Sequence, residues 1–140
     1  MLAAMQDVPK PVPGGPWQQQ SEFLLRERLA EPDGPMTALV VDDPHQPGRL
    51  AACVVGTIEQ RLGGPANPSG AIGYVFSVAT DPAHRRRGYS RACMRHLLDW
   101  FASRGITTVD LRASAEGEPL YRSLGFVHTN DPAMRLQLRP

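Results

Sequence analysis

Few cysteines, almost no lysine and no long apolar run characterise this sequence of 140 residues. Its two cysteines, Cys53 and Cys93, lie far apart and outside any metal-type spacing, which argues against a disulfide framework and a cysteine-based metal site. We therefore expect both to be small buried apolar residues. The histidines form no ligand spacing either, so we expect no bound metal.

Signals for a membrane or for export are missing as well. The longest apolar runs, such as TALVV at 37–41, are far too short to span a bilayer. The first ten residues, MLAAMQDVPK, have neither the basic start nor the apolar core of a signal peptide. These absences favour a cytoplasmic protein that has no membrane partner.

Length and composition indicate a single globular domain over residues 1–140. The apolar share is 41% and the charged share 21%, which are ordinary values. The net charge of +1 argues against a general affinity for nucleic acids. The patterns G-x-x-x-x-G-K-[ST] and G-x-G-x-x-G do not occur, which argues against nucleotide hydrolases and dinucleotide enzymes.

Hydrophobic periodicity predicts an order of elements that is typical of an α/β sheet. A helix over 17–30 is expected to turn Phe23, Leu24 and Leu29 inward. The other predicted elements are strands over 36–41, 50–60, 71–80 and 107–111, a helix over 88–104, a short helix between Pro119 and Gly125, and a final strand or split pair made by FVH and MRLQL.

The stretch VATDPAHRRRGYSRACM, residues 78–94, contains three consecutive arginines between a predicted strand and a predicted helix. The first turn of a helix has unpaired N–H groups and the positive end of the helix dipole, so it attracts anions. Gly88 and the small Ser90 allow a phosphate to approach the backbone closely. The guanidinium groups at 85–87 can bind phosphate with paired hydrogen bonds. The stretch therefore predicts a cradle for a diphosphate.

The three arginines allow two other interpretations. A solvated surface cluster is one, but arginines are unfavourable at the positive end of a helix unless an anion compensates them. Nucleic-acid binding is the other, with Tyr89 stacking on a base, but the remaining arginines are dispersed and the domain is nearly neutral. The anion site is the preferred interpretation, and nucleic acid is not an expected partner.

The same stretch resembles the coenzyme A signature of the GCN5-related N-acetyltransferase (GNAT) family, [QR]-x-x-G-x-[GA]. Arg85, Gly88 and Ser90 take its three defining positions, with serine where glycine or alanine is usual.

A second motif supports the resemblance. ASAEGEPLYRSLGF, residues 113–126, is similar to the family's asparagine-containing loop followed by LY-x-x-x-GF. Leu120, Tyr121, Gly125 and Phe126 match that motif, and Ser114 stands where asparagine is commoner. The two motifs follow each other in the family's order.

The resemblance implies an N-acetyltransferase that uses acetyl-CoA as cosubstrate and a primary amine, in a small molecule or a peptide, as acceptor. The amine would attack the thioester directly, without a covalent enzyme intermediate. Tyr121 would be the general acid that protonates the departing thiolate. The implied cofactor-binding residues are Val78, Ala79, Thr80, Arg85, Arg86, Arg87, Gly88, Tyr89, Ser90, Arg91 and Ser114.

The general base is left open by the sequence. Residues 71–80 contain no carboxylate where some relatives place a glutamate. The candidates are Tyr74, Ser77, Glu59, Glu116 and Glu118, each with an ordinary structural role as the alternative. We expect His84, which precedes the arginines, to be a solvated loop residue. A non-catalytic acyl-CoA-binding module is therefore kept as the alternative function.

The fold implied by the resemblance is a mixed, mostly antiparallel sheet with helices on both faces, in a monomer or homodimer. The family usually opens with a strand, whereas MLAAM at 1–5 is predicted to be the tail of a helix and VPKPVPGGP at 8–16 a connector. The N-terminal strand is thus expected to be missing, which would leave a sheet edge exposed.

Overall fold

The strands of the described residues form one sheet, in the order in which they occur along the chain. The computed structural model describes residues 2–4, by their backbone, and 16–140. A 3₁₀ turn over Pro82–His84 separates the fourth strand from the second helix. The strands are β1 (Leu2–Ala4), β2 (Met36–Asp42), β3 (Leu50–Gln60), β4 (Ala71–Thr80) and β5 (Val109–Leu111), and the helices are α1 (Pro16–Ala30), α2 (Tyr89–Ser103) and α3 (Glu118–Ser123).

Pairing in the sheet is antiparallel from β1 to β4 and parallel between β4 and β5. The turn-rich residues between β2 and β3 close a hairpin, and α2 is the crossover that a parallel neighbour of β4 requires. The predicted mixed, mostly antiparallel α/β sheet is confirmed. The predicted bounds of the four central elements, β2, β3, β4 and α2, agree with the observed ones to within one residue at each end.

The core lies where α2 packs on the middle strands. Leu97 and Phe101 of α2 are 0% and 1% exposed. A Cβ atom at Gly56 of β3 would lie 2.6 Å from Cδ1 of Leu97, and one at Gly73 of β4 would lie 2.7 Å from Cε1 of Phe101. These two glycines therefore allow the second half of α2 to approach the sheet closely.

The amino terminus differs from the sequence prediction. Leu2–Ala4 form β1 and pair with β2, with Leu2 opposite Val41 and Ala4 opposite Leu39. The predicted helix tail is therefore wrong for residues 2–4, and a short first strand is present where none was expected. A run of five apolar residues carries no period that separates strand from helix, so pairing with β2 decides. The predicted connector lies outside the described residues except for Pro16, which begins α1.

The carboxyl terminus differs as well. FVH and MRLQL form no strand, and residues 126–140 contain neither helix nor strand. Val127 and Leu136 are each 81% exposed. Alternation of apolar residues specifies which side of a strand is buried, but a strand also needs a partner for its backbone groups, and these residues pair with none of the described strands.

The predicted inner side of α1 is also wrong for two of its three residues. Phe23 and Leu24 are 64% and 49% exposed, whereas Leu29 is half-buried. No residue of α1 is fully buried in the described structure. The helix contains few apolar residues, and their spacing does not produce a continuous stripe that could pack on the sheet. Among residues 2–4 and 16–140, no helix has the length and apolar character needed to cross a membrane.

Candidate active site

β4 contains a bulge in its second half. Between Phe76 and Ala79, the two residues Ser77 and Val78 stand against a single residue of β3. Ser77 has a φ of +53°, a left-handed conformation that is uncommon for a residue with a side chain. The thiol of Cys53 donates a hydrogen bond to the carbonyl oxygen of Ser77, with 3.5 Å between Sγ and O. Bulges re-aim backbone groups and often lie next to ligand sites, so this one marks the second half of β4 as a candidate site.

The edge of β4 beyond this pairing is free on the side of β5. β5 pairs only with Gly73–Val75, so within the described residues Phe76–Thr80 has no strand along that edge. Val78 and Thr80 are half-buried and Ala79 is exposed. The structure thus gives the three β4 residues predicted to contact the cofactor an edge that an extended ligand can bind like an added strand.

A fixed turn connects β4 to the arginines. The N–H of Asp81 donates to the carbonyl oxygen of Ala51 at 2.8 Å, which ties the turn to β3. The carboxylate of Asp81 accepts a hydrogen bond from the N–H of Ala83 at 2.9 Å and so caps the 3₁₀ turn. The segment that follows therefore starts from a defined position.

The start of α2 leaves its first N–H groups without a side-chain cap. Gly88 is the N-cap residue, with a φ of +76°, and the first turn contains no acidic residue. A Cβ atom at Gly88 would meet nothing within 4 Å, so the left-handed backbone, rather than crowding, favours glycine there. Arg86 is also left-handed, with a φ of +66°. An uncapped helix start with positive-φ residues before it is suited to bind an anion.

The three consecutive arginines are all exposed at this helix start. Within residues 2–4 and 16–140, none of their guanidinium groups forms an ion pair. Asp81, the carboxylate just before them, lies 3.9 Å from Arg49 instead. The charges at Arg85, Arg86 and Arg87 are therefore not neutralised by the described residues, which is the condition for binding an anion from solution.

The remaining residues predicted around the helix start are in place. The hydroxyl groups of Thr80 and Ser90 are hydrogen-bonded and join the end of β4 to the first turn of α2. Tyr89 and Arg91 are half-buried, and Tyr89 packs against the core. The structure thus brings the predicted residues of β4 and α2 together, and Ser90 has a structural role that its small size alone did not indicate.

Tyr121 lies on α3 and is 7% exposed. Its ring meets that of Phe126 edge to face, with 6.0 Å between the ring centroids. Burial raises the pKa of its phenol above the usual value of 10.0. A Cβ atom at Gly117 would lie 2.8 Å from Cε2 and 3.1 Å from the hydroxyl oxygen of Tyr121, so Gly117 makes room for the ring. Sequence reasoning did not single out Gly117.

Ser114 lies in the loop between β5 and α3. Its hydroxyl accepts a hydrogen bond from the N–H of Gly117 at 3.1 Å, and its carbonyl oxygen accepts one from the N–H of Glu118 at 3.0 Å. These contacts organise the loop that leads into α3. A contact between Ser114 and a cofactor stays a prediction.

A groove with a volume of about 530 Å³ runs beside β5 and α3. Tyr121 borders it, as do Tyr74 and Asp110, which lie opposite each other in the parallel pairing of β4 and β5. Asp110 is half-buried. Sequence reasoning missed this carboxylate, although the alternation in VDL places it on the face opposite to Val109 and Leu111.

Of the acidic candidates for a general base, Glu118 lines this groove, whereas Glu59 and Glu116 do not. Glu59 forms an ion pair with Arg61 at 2.9 Å. The pKa of Glu118 is lowered, first by its hydrogen bond to His128 and then by that to Arg122, so it is a weaker base than an ordinary carboxylate. Glu116 is exposed.

The two remaining candidates, Tyr74 and Ser77, are placed differently. Tyr74 lines the groove, and Ser77 is exposed at the bulge.

His84 corrects a sequence prediction. It is 5% exposed rather than solvated, and its Nε2 lies 3.1 Å from a carboxylate oxygen of Asp43. The turn around Pro82–His84 folds the ring inward against the β2–β3 hairpin. Sequence alone could not show this, because Asp43 is far from His84 along the chain.

The thiols are placed largely as predicted. Cys93 is 0% exposed, and burial raises the pKa of its thiol to about 11. Cys53 is half-buried, and burial raises its thiol pKa as well. In the described part of the chain, no three histidine, cysteine or acidic side chains form a group that could hold a metal ion.

Comparison with protein families identifies one match over most of the chain. The sequence model of the Acetyltransferase (GNAT) family matches residues 2–126. This range contains both motifs and all strands of the sheet.

Curated relatives match the chain over about half its length. The [ribosomal protein bS18]-alanine N-acetyltransferase of Escherichia coli strain K12 is 39% identical over 69 residues, which are 47% of this chain and 45% of that protein. The enzyme of the same name from Salmonella typhimurium is also 39% identical over 69 residues. The match thus spans less than half the length of these relatives.

Solved structures resemble the whole fold. A GCN5-related N-acetyltransferase from Ralstonia eutropha is 29% identical, with a TM-score of 0.71 over 85% of this chain and 75% of that one. A predicted acetyltransferase with acetyl-CoA from Clostridium acetobutylicum is 20% identical, with a TM-score of 0.74 over 92% of this chain and 79% of that one. At that identity the second likeness concerns the fold alone.

Proposed function

Since this chain belongs to the GNAT family of acetyltransferases, we propose that it moves an acetyl group from acetyl-CoA to a primary amine. Both substrates would be bound together, and the amine would attack the thioester directly. The observation that carries the proposal is a cluster of three arginines at the uncapped start of α2, without ion-pair partners among the described residues and next to an edge of β4 that no described strand pairs with. The similarity to ribosomal-protein alanine N-acetyltransferases supports a peptide amine as the acceptor class.

The residues around the helix start fit the diphosphate of coenzyme A. Backbone N–H groups from Arg86 to Arg91 and the guanidinium groups of the arginines would bind its oxygens. Val78, Ala79 and Thr80 would bind the pantetheine arm through their backbone. When bound, acetyl-CoA supplies the acetyl group as an activated thioester.

The bulge gives Val78 a specific part in the chemistry. The two-against-one pairing at Ser77 and Val78 removes backbone groups from the regular ladder with β3. We expect an N–H near Val78 to donate to the thioester carbonyl oxygen, where negative charge develops during attack.

Tyr121 would supply the proton that the leaving group needs. When the amine nitrogen bonds to the carbonyl carbon, the carbon–sulfur bond breaks and the sulfur leaves as a thiolate. Burial raises the pKa of Tyr121, so its phenol stays protonated at neutral pH and can donate that proton.

Asp110 is the base that the structure adds to the candidates. It borders the same groove as Tyr121, and no described ion pair engages it. A carboxylate there would take the proton that the ammonium group of the acceptor must lose before attack. Neither cysteine is needed, because no covalent enzyme intermediate forms.

Calorimetric titration with acetyl-CoA tests the binding half of the proposal. Arg85→Ala and Arg87→Ala should each weaken binding about tenfold, since a charge-assisted hydrogen bond is lost. Arg95→Ala, an exposed arginine further along α2, is the matched control and should bind as the wild type does. Absence of binding by the wild-type protein would overturn the proposal.

Thiol release with a library of amines and peptides tests the catalytic half. Tyr121→Phe should lower kcat by about 10²-fold while the affinity for acetyl-CoA changes little. Asp110→Asn should lower turnover at neutral pH, and Asp99→Asn on the exposed side of α2 is its control. Tight binding without thiol release from any amine would favour the non-catalytic acyl-CoA-binding module.

A further inference from the structure

A buried side-chain pair links the β2–β3 hairpin to the turn before the arginines. His84 and Asp43 are each 6% exposed at their side chains, and Nε2 of His84 lies 3.1 Å from Oδ2 of Asp43. Asp43 follows β2, whereas His84 ends the 3₁₀ turn after β4. The contact therefore joins two loops that the sheet hydrogen bonds do not join directly.

The Asp43 side of the pair is itself held in position. The other carboxylate oxygen, Oδ1, accepts a hydrogen bond from the N–H of His45 at 2.8 Å. The N–H of Asp43 donates to the carbonyl oxygen of Arg49 at 3.0 Å across the hairpin. The pKa of the Asp43 carboxyl is lowered, first by the His45 N–H and also by His84, so it is ionised at neutral pH.

His84 also reaches the far end of the arginine segment. Its ring centroid lies 6.1 Å from that of Tyr89, the first residue of α2. The exposed residues 85–88 thus form a loop whose two flanking residues contact each other. These four residues are exposed, and two of them have a left-handed backbone. The shape of the loop therefore depends on the contact between its two flanking residues.

The His84 ring has one side-chain hydrogen bond in the described structure. Its Nδ1 is buried without a hydrogen-bond partner among the described residues, so Asp43 is the one described side chain that orients the ring by hydrogen bonding.

We propose that Asp43 and His84 are positioning residues for the diphosphate-binding loop. They touch no reacting atom. Asp43 orients the His84 ring. The ring holds the two ends of loop 85–88 together, so that the N–H and guanidinium groups of the loop converge before the ligand binds. This role rests on the proposed function, because it presupposes that the loop binds coenzyme A. It assigns a ligand-binding effect to the β2–β3 hairpin, which contributes none of the loop's donors.

The test combines calorimetry, kinetics and hydrogen exchange on the full chain. Asp43→Ala should raise the Kd of coenzyme A and the KM of acetyl-CoA about tenfold, with kcat at saturation changed less than about twofold. Without ligand, the amides of a peptide covering residues 84–90 should exchange faster than in the wild type, while those of β3 should not change. Asp43→Asn, which keeps an acceptor oxygen for Nε2, should restore most of the affinity.

Exposed residues of β2 and α2 provide matched controls. Asp42→Ala removes the neighbouring exposed aspartate, and His96→Gln removes an exposed histidine of α2; both should behave as the wild type. If Asp43→Ala fails to fold, His84→Gln, which keeps a side-chain donor, replaces it and should give a smaller loss of affinity.

The outcomes separate this inference from the proposed function. If the wild type binds coenzyme A and Asp43→Ala binds it equally well, the positioning role is wrong and the proposed function stands. If the wild type does not bind coenzyme A, the proposed function fails, and unchanged exchange of residues 84–90 in Asp43→Ala then also overturns the positioning role. An equal loss in kcat and affinity together with faster exchange throughout the sheet would show a general loss of structure and would likewise overturn it.

Discussion

The apolar pattern predicts a strand both for β4 and for the carboxyl-terminal residues 134–138, and the two segments have opposite surroundings. Ile72 and Val75 of β4 are 6% and 3% exposed, between β3 on one side and β5 on the other. Met134 and Leu136 are 91% and 81% exposed, and no described strand pairs with them. The difference shows that strand formation here depends on a partner and a covering helix, and that side-chain pattern alone is insufficient.

The largest effect that would sharpen this comparison is expected at Leu97. Leu97→Ala empties a space at the centre of the α2–sheet interface and should lower the free energy of unfolding by about 2–5 kcal/mol. Leu136→Ala removes the same atoms from an exposed side chain and should change that free energy by less than about 0.5 kcal/mol. Urea unfolding measures both, and equal effects would mean that the terminal residues are packed in solution.

A smaller effect is expected at Gly56. Gly56→Ala would place a Cβ atom 2.6 Å from Leu97 and should cost about 1–3 kcal/mol of stability through overpacking. Gly64→Ala is the control, since a Cβ atom there meets nothing within 4 Å. In a Leu97→Ala background the cost of Gly56→Ala should shrink, because the crowded methyl group is gone. A cost that persists in that double variant would show that the contact with Leu97 is not its cause.

The mildest test compares thiol reactivity. The thiol of Cys93 is buried with a pKa of about 11, so at pH 8 it is almost entirely protonated and shielded. In the folded protein a disulfide reagent should therefore label Cys93 far more slowly than after unfolding in urea, and Cys53→Ser leaves Cys93 as the only thiol to follow. The pKa of the Cys93 thiol in the folded state lies above the usual 9.0. Ionisation of this thiol therefore lowers the free energy of unfolding as the pH rises from about 9 to 11. Rapid labelling at pH 8 would show that α2 opens readily.

Local sequence predicted the segment around the arginines well, for identifiable reasons. β4 and α2 are long, and their apolar residues repeat at strand and helix periods. Gly88 and Gly105 mark the two ends of the helix. The arginines, the glycine and the serine of the first turn are consecutive, so their joint position at the helix start follows from local structure. The family motifs added Tyr121 to the site residues predicted from the sequence.

The residues that sequence reasoning missed or misplaced depend on contacts between distant parts of the chain. His84 is buried because Asp43 on another loop meets it. Asp110 reaches the groove of Tyr121 because β5 pairs with β4 in one register. Phe23 and Leu24 on α1 are a third case. The sequence predicted the helix itself, but it did not show which of its residues other elements would bury, and these two are exposed.

By itself, the sequence determined the central elements and the positive helix start, because the periodicity, the glycines and the adjacent charges are local properties of the chain. Only the tertiary structure decided the bulge in β4, the part of the β4 edge that β5 leaves uncovered, and the Asp43–His84 pair. It also decided that residues 126–140 pair with none of the described strands. Each of these depends on which backbone and side-chain groups find partners, and that is settled by segments far apart in sequence coming together.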